Sequence, residues 1–273
     1  SRGLGDVYKR QVTYCPLCNS GSAFERRVAS QVSEFGTSGA LYQSNLVMYD
    51  RATESLWTQF DGRAVVGTSV GERLHRLPLT TVAWADAQRA HPDADVLTRD
   101  TGVDRPYGRN PYNTYDRRDD PLPGFFTGEV DGRLVPFERV IGIETVGEAV
   151  ALRRSDVSER GVVEFELASG PVTVWSVAGA RSPLNDGVIA DGDPIGAVAV
   201  YESSFDGRRL RFVRTSGGAI VDEETGSTWD VLGRAVAGPL EGAVLSPMVH
   251  VDTFWFSWAT FQVEPVLIRP DDR

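Results

Sequence analysis

Short runs of β-branched and aromatic residues, broken every few positions by Gly, Asp or Asn, make up most of this chain. Such runs predict strands. In the first half they fall at Val12–Cys15, Ala23–Val28, Leu46–Tyr49 and Ala64–Val66; in the second at Val140–Ile143, Val162–Leu167, Val172–Val177, Ala197–Tyr201, Leu210–Val213 and Ala219–Val221. Glu164 and Glu166 alternate with Val163, Phe165 and Leu167, the period of a half-exposed strand. Asp206-Gly207 predicts a hairpin turn, because both positions tolerate positive φ. Helical spacing occurs twice. Thr81 can cap a helix that runs to Ala90 and stops before Pro92. Asp252 can cap a second, through TFWFSWATF to Phe261, and its nearly all-apolar surface predicts burial. The fold class is mainly β, a β-rich α+β protein.

The pattern also repeats. Asp50, Thr53, Ser55 and Trp57 recur as Asp222, Thr225, Ser227 and Trp229, each 172 positions later. Gly62, Arg63, Ala64, Val65 and Gly67 recur as Gly233, Arg234, Ala235, Val236 and Gly238 at an offset of 171, followed by Gly71, Leu74 and Trp84 as Gly242, Leu245 and Trp255. Upstream, Thr37-Ser38-Gly39 resembles Thr215-Ser216-Gly217, and Val12–Cys15 resembles Val172–Trp175. This predicts two pseudo-repeated β units, each with one packed helix. Expected bounds are 12–99 for the first and 139–273 for the second. A Pro-, Gly-, Asp- and Tyr-rich connecting loop spans 100–138. In the second unit VIGIETVGEAVALRR and VVEFEL precede the match, so the first is expected to have lost a similar leading segment. Residues 1–11, SRGLGDVYKRQ, contain the only lysine, Lys9, and read as a translated sequencing linker, a non-native leader.

Composition narrows the function classes. Of 273 residues 41% are hydrophobic and 24% charged, which predicts a folded globule. The net charge is −10 with scattered arginines, which excludes a polyanion-binding surface and so argues against nucleic acid. No apolar run approaches the 18 residues of a membrane span. A small-molecule or protein partner stays open.

Candidate chemistry centres on Cys15 and Cys18, the only cysteines, in Thr-Tyr-Cys-Pro-Leu-Cys. By the match above, the second unit carries Trp175 and Ala178 in their places, which marks the pair as a point of specialisation. Three readings fit the spacing. Two thiolates on one turn can share a soft metal, copper or zinc. A neighbouring thiol can resolve a mixed disulfide, with Cys15 as nucleophile. The pair can also be purely structural. Haem attachment is excluded by Asn19, and a closed four-ligand zinc site by the ligand count. Met48 and His250 are the further candidate ligands. In the connecting loop, Asp100, Arg105, Tyr107, Arg109 and Tyr112 can line a ligand pocket or staple the loop down. Phosphate-binding glycine loops, HExxH and the nucleophile elbow are all missing, so no catalytic residue is assigned.

TYCPLCNS, FGTSGALYQSNLVMYDRATESLW, RDTGVDRPYGRNPY and ETGSTWDVLGRAVAGPL together resemble the bacterial and archaeal family DUF3179, from Val12 to about Ile268. Members typically begin with a leading region holding a His-Glu pair before the CPLC strand, which agrees with the expected truncation. The resemblance implies export, and hence an oxidising, extracytoplasmic compartment for the cysteines. It implies no reaction.

Overall fold

The computed structural model describes residues 9–121 and 124–269. Strands dominate, with three short α-helices: α1 (Trp84–Ala90), α2 (Arg154–Arg160) and α3 (Trp255–Phe261). The chain forms two compact units, each from discontinuous stretches. The first takes the chain up to Leu79, Arg118–Arg154 and Val249–Arg269; the second takes Thr80–Arg117 and Ser155–Met248. The expected leader lies outside the described residues as far as position 8. Arg10 and Gln11, set aside with it, belong to the strand Arg10–Cys15 and pair with Glu25 and Phe24.

The first unit holds three main sheets. Arg10–Cys15, Ser20–Glu25 and Arg76–Leu77 form one; Phe35–Tyr42, Asn45–Asp50, Leu56–Thr58 and Ala64–Val66 form a meander. In the third, Arg139–Thr145 lies between His250–Phe254 and Glu148–Arg153, with Val266–Ile268 at the edge. Phe24, Val28, Met48, Trp57, Ala64 and Leu74 pack as one core, and Phe60, Val140, Ala151, Val251, Trp255, Trp258 and Phe261 as another. The α3 helix enters the second of these, as its apolar surface requires. Gly142 makes room for it: a Cβ there would stand 2.2 Å from the Trp258 ring.

The second unit stacks Val162–Leu167, Gly170–Val177 and Ala197–Glu202 with a second meander, Phe212–Arg214, Ile220–Asp222, Thr228–Trp229 and Ala235–Ala237. Trp175, Tyr201, Phe212, Ile220 and Trp229 fill its core.

The matched residues of the sequence do matched work. The Asp50 carboxylate accepts from Trp57 Nε1 (2.9 Å), Thr53 N (2.7 Å) and Thr53 Oγ1 (2.6 Å). Asp222 accepts from Trp229 Nε1 (2.9 Å), Thr225 N (2.6 Å) and Thr225 Oγ1 (2.8 Å). A buried carboxylate needs such donors, and this local set explains why Asp, Thr, Ser and Trp keep their spacing. Arg63 donates to the carbonyl of Phe261 at the end of α3 (3.3 Å), and Arg234 to the carbonyl of Ala90 at the end of α1 (2.7 Å). Each arginine thus caps the helix that follows the other meander in sequence.

Several expectations shift. Thr81 caps nothing: α1 begins at Trp84 after Ala83, with no side-chain cap. Asp252 lies in the strand His250–Phe254, its carboxylate held by Arg154 Nε at 2.7 Å, so α3 begins at Trp255. The run Ala23–Val28 is interrupted at Arg26, and Leu210–Val213 becomes Phe212–Arg214. The strand match moves by two residues. A Cβ on Gly62 would meet Phe24, and one on the matched Gly233 would meet Tyr201, so those aromatics correspond. Gln11 pairs with Phe24 and Thr173 with Tyr201, which sets Cys15 level with Val177 rather than Trp175. A two-residue slip keeps every side chain on the same face, so alternation alone does not detect it.

Candidate functional site

The strand Arg10–Cys15 ends at the first thiol. The chain turns through Pro16, Leu17 and Cys18, and Asn19 closes the turn with φ of 52° and an N–H bond to Pro16 O (3.3 Å). Asn tolerates that left-handed geometry better than most residues. The returning strand sets Ser20 opposite Cys15.

Both cysteines are free and buried, Cys15 at 1% and Cys18 at 0% exposure. They converge on one acceptor, the carbonyl of Ser44, at 3.8 Å from Cys15 Sγ and 3.4 Å from Cys18 Sγ. Ser44 sits at the tip of the hairpin joining Phe35–Tyr42 to Asn45–Asp50, where Gln43 and Ser44 have φ of 51° and 60°. Asn45 Nδ2 donates to Cys18 Sγ at 3.6 Å. The Cys18 carbonyl accepts from Thr253 Oγ1 (2.7 Å) and Phe254 N (3.1 Å), so the strand before α3 is fastened to the turn.

The two thiols differ in acidity. Hydrogen bonding from Cys18 lowers Cys15 to about 7; burial opposes this, and the backbone N–H groups of Leu46, Cys18 and Leu17 reinforce it. Cys18 is pushed up by burial first and by its Cys15 neighbour next, with Ser257 and Asn45 working the other way. The pair therefore ionises once near neutrality, and the remaining proton stays with Cys18. The backbone N–H dipoles of Leu46, Cys18 and Leu17 favour the charged form of the Cys15 sulfur.

A polar chain flanks the turn. Tyr14 Oη donates to Asn19 Oδ1 (3.0 Å), Asn19 Nδ2 to Asp252 Oδ1 (3.3 Å), and Arg154 pairs with Asp252 Oδ2. Tyr14 keeps an exposed surface, yet desolvation around its hydroxyl pushes that group up, so it stays a neutral donor.

Of the other candidates, Met48 belongs to the apolar core with Phe24 and Trp57. It stands three positions after Asn45 on the same strand, so the two side chains leave opposite faces. His250 is buried at the start of its strand, opposite Ile143. Among the described residues no three His, Cys, Asp or Glu side chains cluster as a metal site. Asp100, Arg105, Tyr107, Arg109 and Tyr112 are all exposed; the first three line a shallow hollow formed by Arg99–Tyr107 itself, and Tyr107 Oη bonds Thr101 Oγ1 (2.9 Å). The loop is anchored instead by Asn110, whose Nδ2 donates to Leu184 O (2.8 Å) and Asp186 O (3.1 Å).

The residues that complete the thiol site, Ser44, Asn45 and Gln59, belong to no motif that marks them in the sequence. A signal for two of them exists. Between the paired positions Thr37 and Met48 the first meander has ten residues, Ser38–Val47; between Arg214 and Ile220 the second has five, Thr215–Ala219. The insertion carries Ser44 and Asn45 onto the cysteines.

Fold and site together define a mainly β protein with a buried, unequal dithiol turn. The chain matches the family described as "Protein of unknown function (DUF3179)" over residues 5–265, nearly its whole length, and it belongs to that family. No curated protein and no solved structure matches it. Among the described residues no helix is long and apolar enough to cross a membrane.

Proposed function

We propose that the Cys15–Cys18 turn binds a soft monovalent metal ion, Cu(I), between its two sulfurs, in an exported protein. The observation that carries this reading is the convergence of two buried thiols on one carbonyl, that of Ser44. Thiolate ligands favour Cu(I) and Zn(II). Structural zinc takes four ligands, and the described residues offer two sulfurs with no third His, Cys, Asp or Glu beside them. Cu(I) accepts two thiolates alone. Near neutrality Cys15 is already partly thiolate, and binding displaces the proton of Cys18. In an oxidising compartment a bound soft ion would also keep the thiols from pairing.

The test is anaerobic titration of the full chain with Cu(I) against a competing chelator. One ion per chain is expected, lost in Cys15→Ser and Cys18→Ser. Binding no stronger than the chelator's, or binding that survives both substitutions, overturns the reading.

The unequal acidity favours a second reading, thiol–disulfide exchange. The Cys15 thiolate would attack a partner's disulfide and release one partner thiolate. Cys18, losing its proton, would then attack Cys15 Sγ and release the other, leaving a protein disulfide and a reduced partner. Reversible two-electron oxidation by a small disulfide, without Cu(I) binding, would select it.

A further inference from the structure

We propose that Asn45 is the positioning residue of the thiol pair: it fixes the Cys18 sulfur and prepares it, rather than Cys15, to complete a metal–sulfur bond. This rests on the Cu(I) reading above. The Asn45 carboxamide has no freedom to turn. Its Oδ1 accepts from Phe60 N (3.0 Å), and its Nδ2 donates both to Gln59 Oε1 (2.8 Å) and to Cys18 Sγ (3.6 Å). Gln59 is held in turn: Nε2 donates to Ser20 O (3.0 Å), and Oε1 accepts from Ser20 Oγ (3.0 Å). Ser20, Asn45 and Gln59 are fully buried.

A buried amide network of this kind is costly unless every group is satisfied, and here the last donor of the chain is spent on sulfur. An apolar core would be cheaper at this place, and the other unit has one. With Phe24 matched to Tyr201, Ser20 corresponds to Ala197; Gln59, two positions past the matched Trp57, corresponds to Val231. Both of those residues lie in the apolar core of the second unit. Asn45 has no counterpart, because the second hairpin is five residues shorter. The unit without the thiols lacks the whole network. Among the side chains at Cys18, Asn45 offers a donor on a carboxamide fixed at both ends.

The experiment compares the full chain with Asn45→Asp and Asn45→Ala. The aspartate keeps the acceptor for Phe60 N–H and removes the donor to sulfur. Circular dichroism checks the fold, and Cu(I) affinity is read by chelator competition together with the copper–thiolate absorption band. Both variants should bind Cu(I) about tenfold more weakly or worse, as loss of one charge-assisted hydrogen bond implies, with the aspartate weaker still and the band shifted. Gln59→Met frees one Asn45 anchor while leaving the donor, and an intermediate loss is expected; it serves if either Asn45 variant fails to fold. Affinity and band equal to the parent's in the folded variants overturn the proposal. If the parent itself binds no Cu(I), the metal reading falls, and Asn45 is judged by the Cys15–Cys18 disulfide potential. A more negative value in Asn45→Asp sustains its role at Cys18, and an unchanged value ends it.

Discussion

Once Cys15 is ionised, the single Cys18 proton can turn from the Ser44 carbonyl to the thiolate, and this dependence is directional. Removing the Cys18 thiol takes away the largest influence that lowers Cys15, while the burial that raises it stays. In Cys18→Ala the Cys15 midpoint should therefore rise from about 7 toward or beyond its ordinary 9.0, read from thiolate ultraviolet absorbance against pH. A midpoint still near 7 would mean that the backbone N–H groups alone hold the charge. The sign for stability follows. A thiol with a lowered folded value adds stability that is fully present above 9.0 and fades as pH falls through about 7. Cys18, raised in the fold, adds stability below 9.0 and loses it as pH rises through its own higher value. The singly ionised pair is thus favoured between the two.

At the scale of elements, the inserted hairpin both supplies the site and closes it. Gln43 at its tip accepts from Thr127 N (3.1 Å) and Gly128 N (3.0 Å) and donates to Thr127 Oγ1 (3.2 Å), while Ser44 N donates to Phe125 O (2.6 Å). These bonds hold Phe125–Gly128 against the turn whose carbonyl meets both thiols. Gln43→Ala should raise the rate at which the thiols react with a disulfide reagent by roughly tenfold, since the lost bonds are worth about 1–1.5 kcal/mol of local opening. The melting temperature should hardly move. An unchanged rate would place the access route elsewhere. The same elements show what a sequence can disclose. Alternation revealed most strands, and the Asp-Thr-Ser-Trp spacing was legible because its hydrogen bonds span only a few positions. The spacing of Cys15 and Cys18 was visible for the same reason. The cap expected at Asp252 failed because its carboxylate is taken by Arg154, far away in sequence. Helix α2, RSDVSER, offers one buried apolar residue, Val157, too little for any periodicity. Asn45 and Gln59 stayed hidden because their meaning lies in partners 27 and 39 positions away.

For the whole molecule, the units do not follow the order of the chain. The first meander is followed by α1, which belongs to the second unit, and the second by α3, which belongs to the first. Arg63 and Arg234 mark this exchange at the two helix ends. Neither contiguous half should then fold alone. A fragment ending at Asp104 lacks α3 and the sheet around Arg139–Thr145, and it should show no fixed near-ultraviolet aromatic signal; mixing it with the remaining chain should restore one. A folded, cooperative N-terminal fragment would sink this. The fastening of Cys18 to Thr253 and Phe254 carries a further consequence. A chain made from its N-terminus displays its sulfurs early, yet the residues that seal them emerge more than 230 positions later. Until then the two hydrogen bonds to the Cys18 carbonyl are unmade. An early turn is thus completed by one of the last strands to be made.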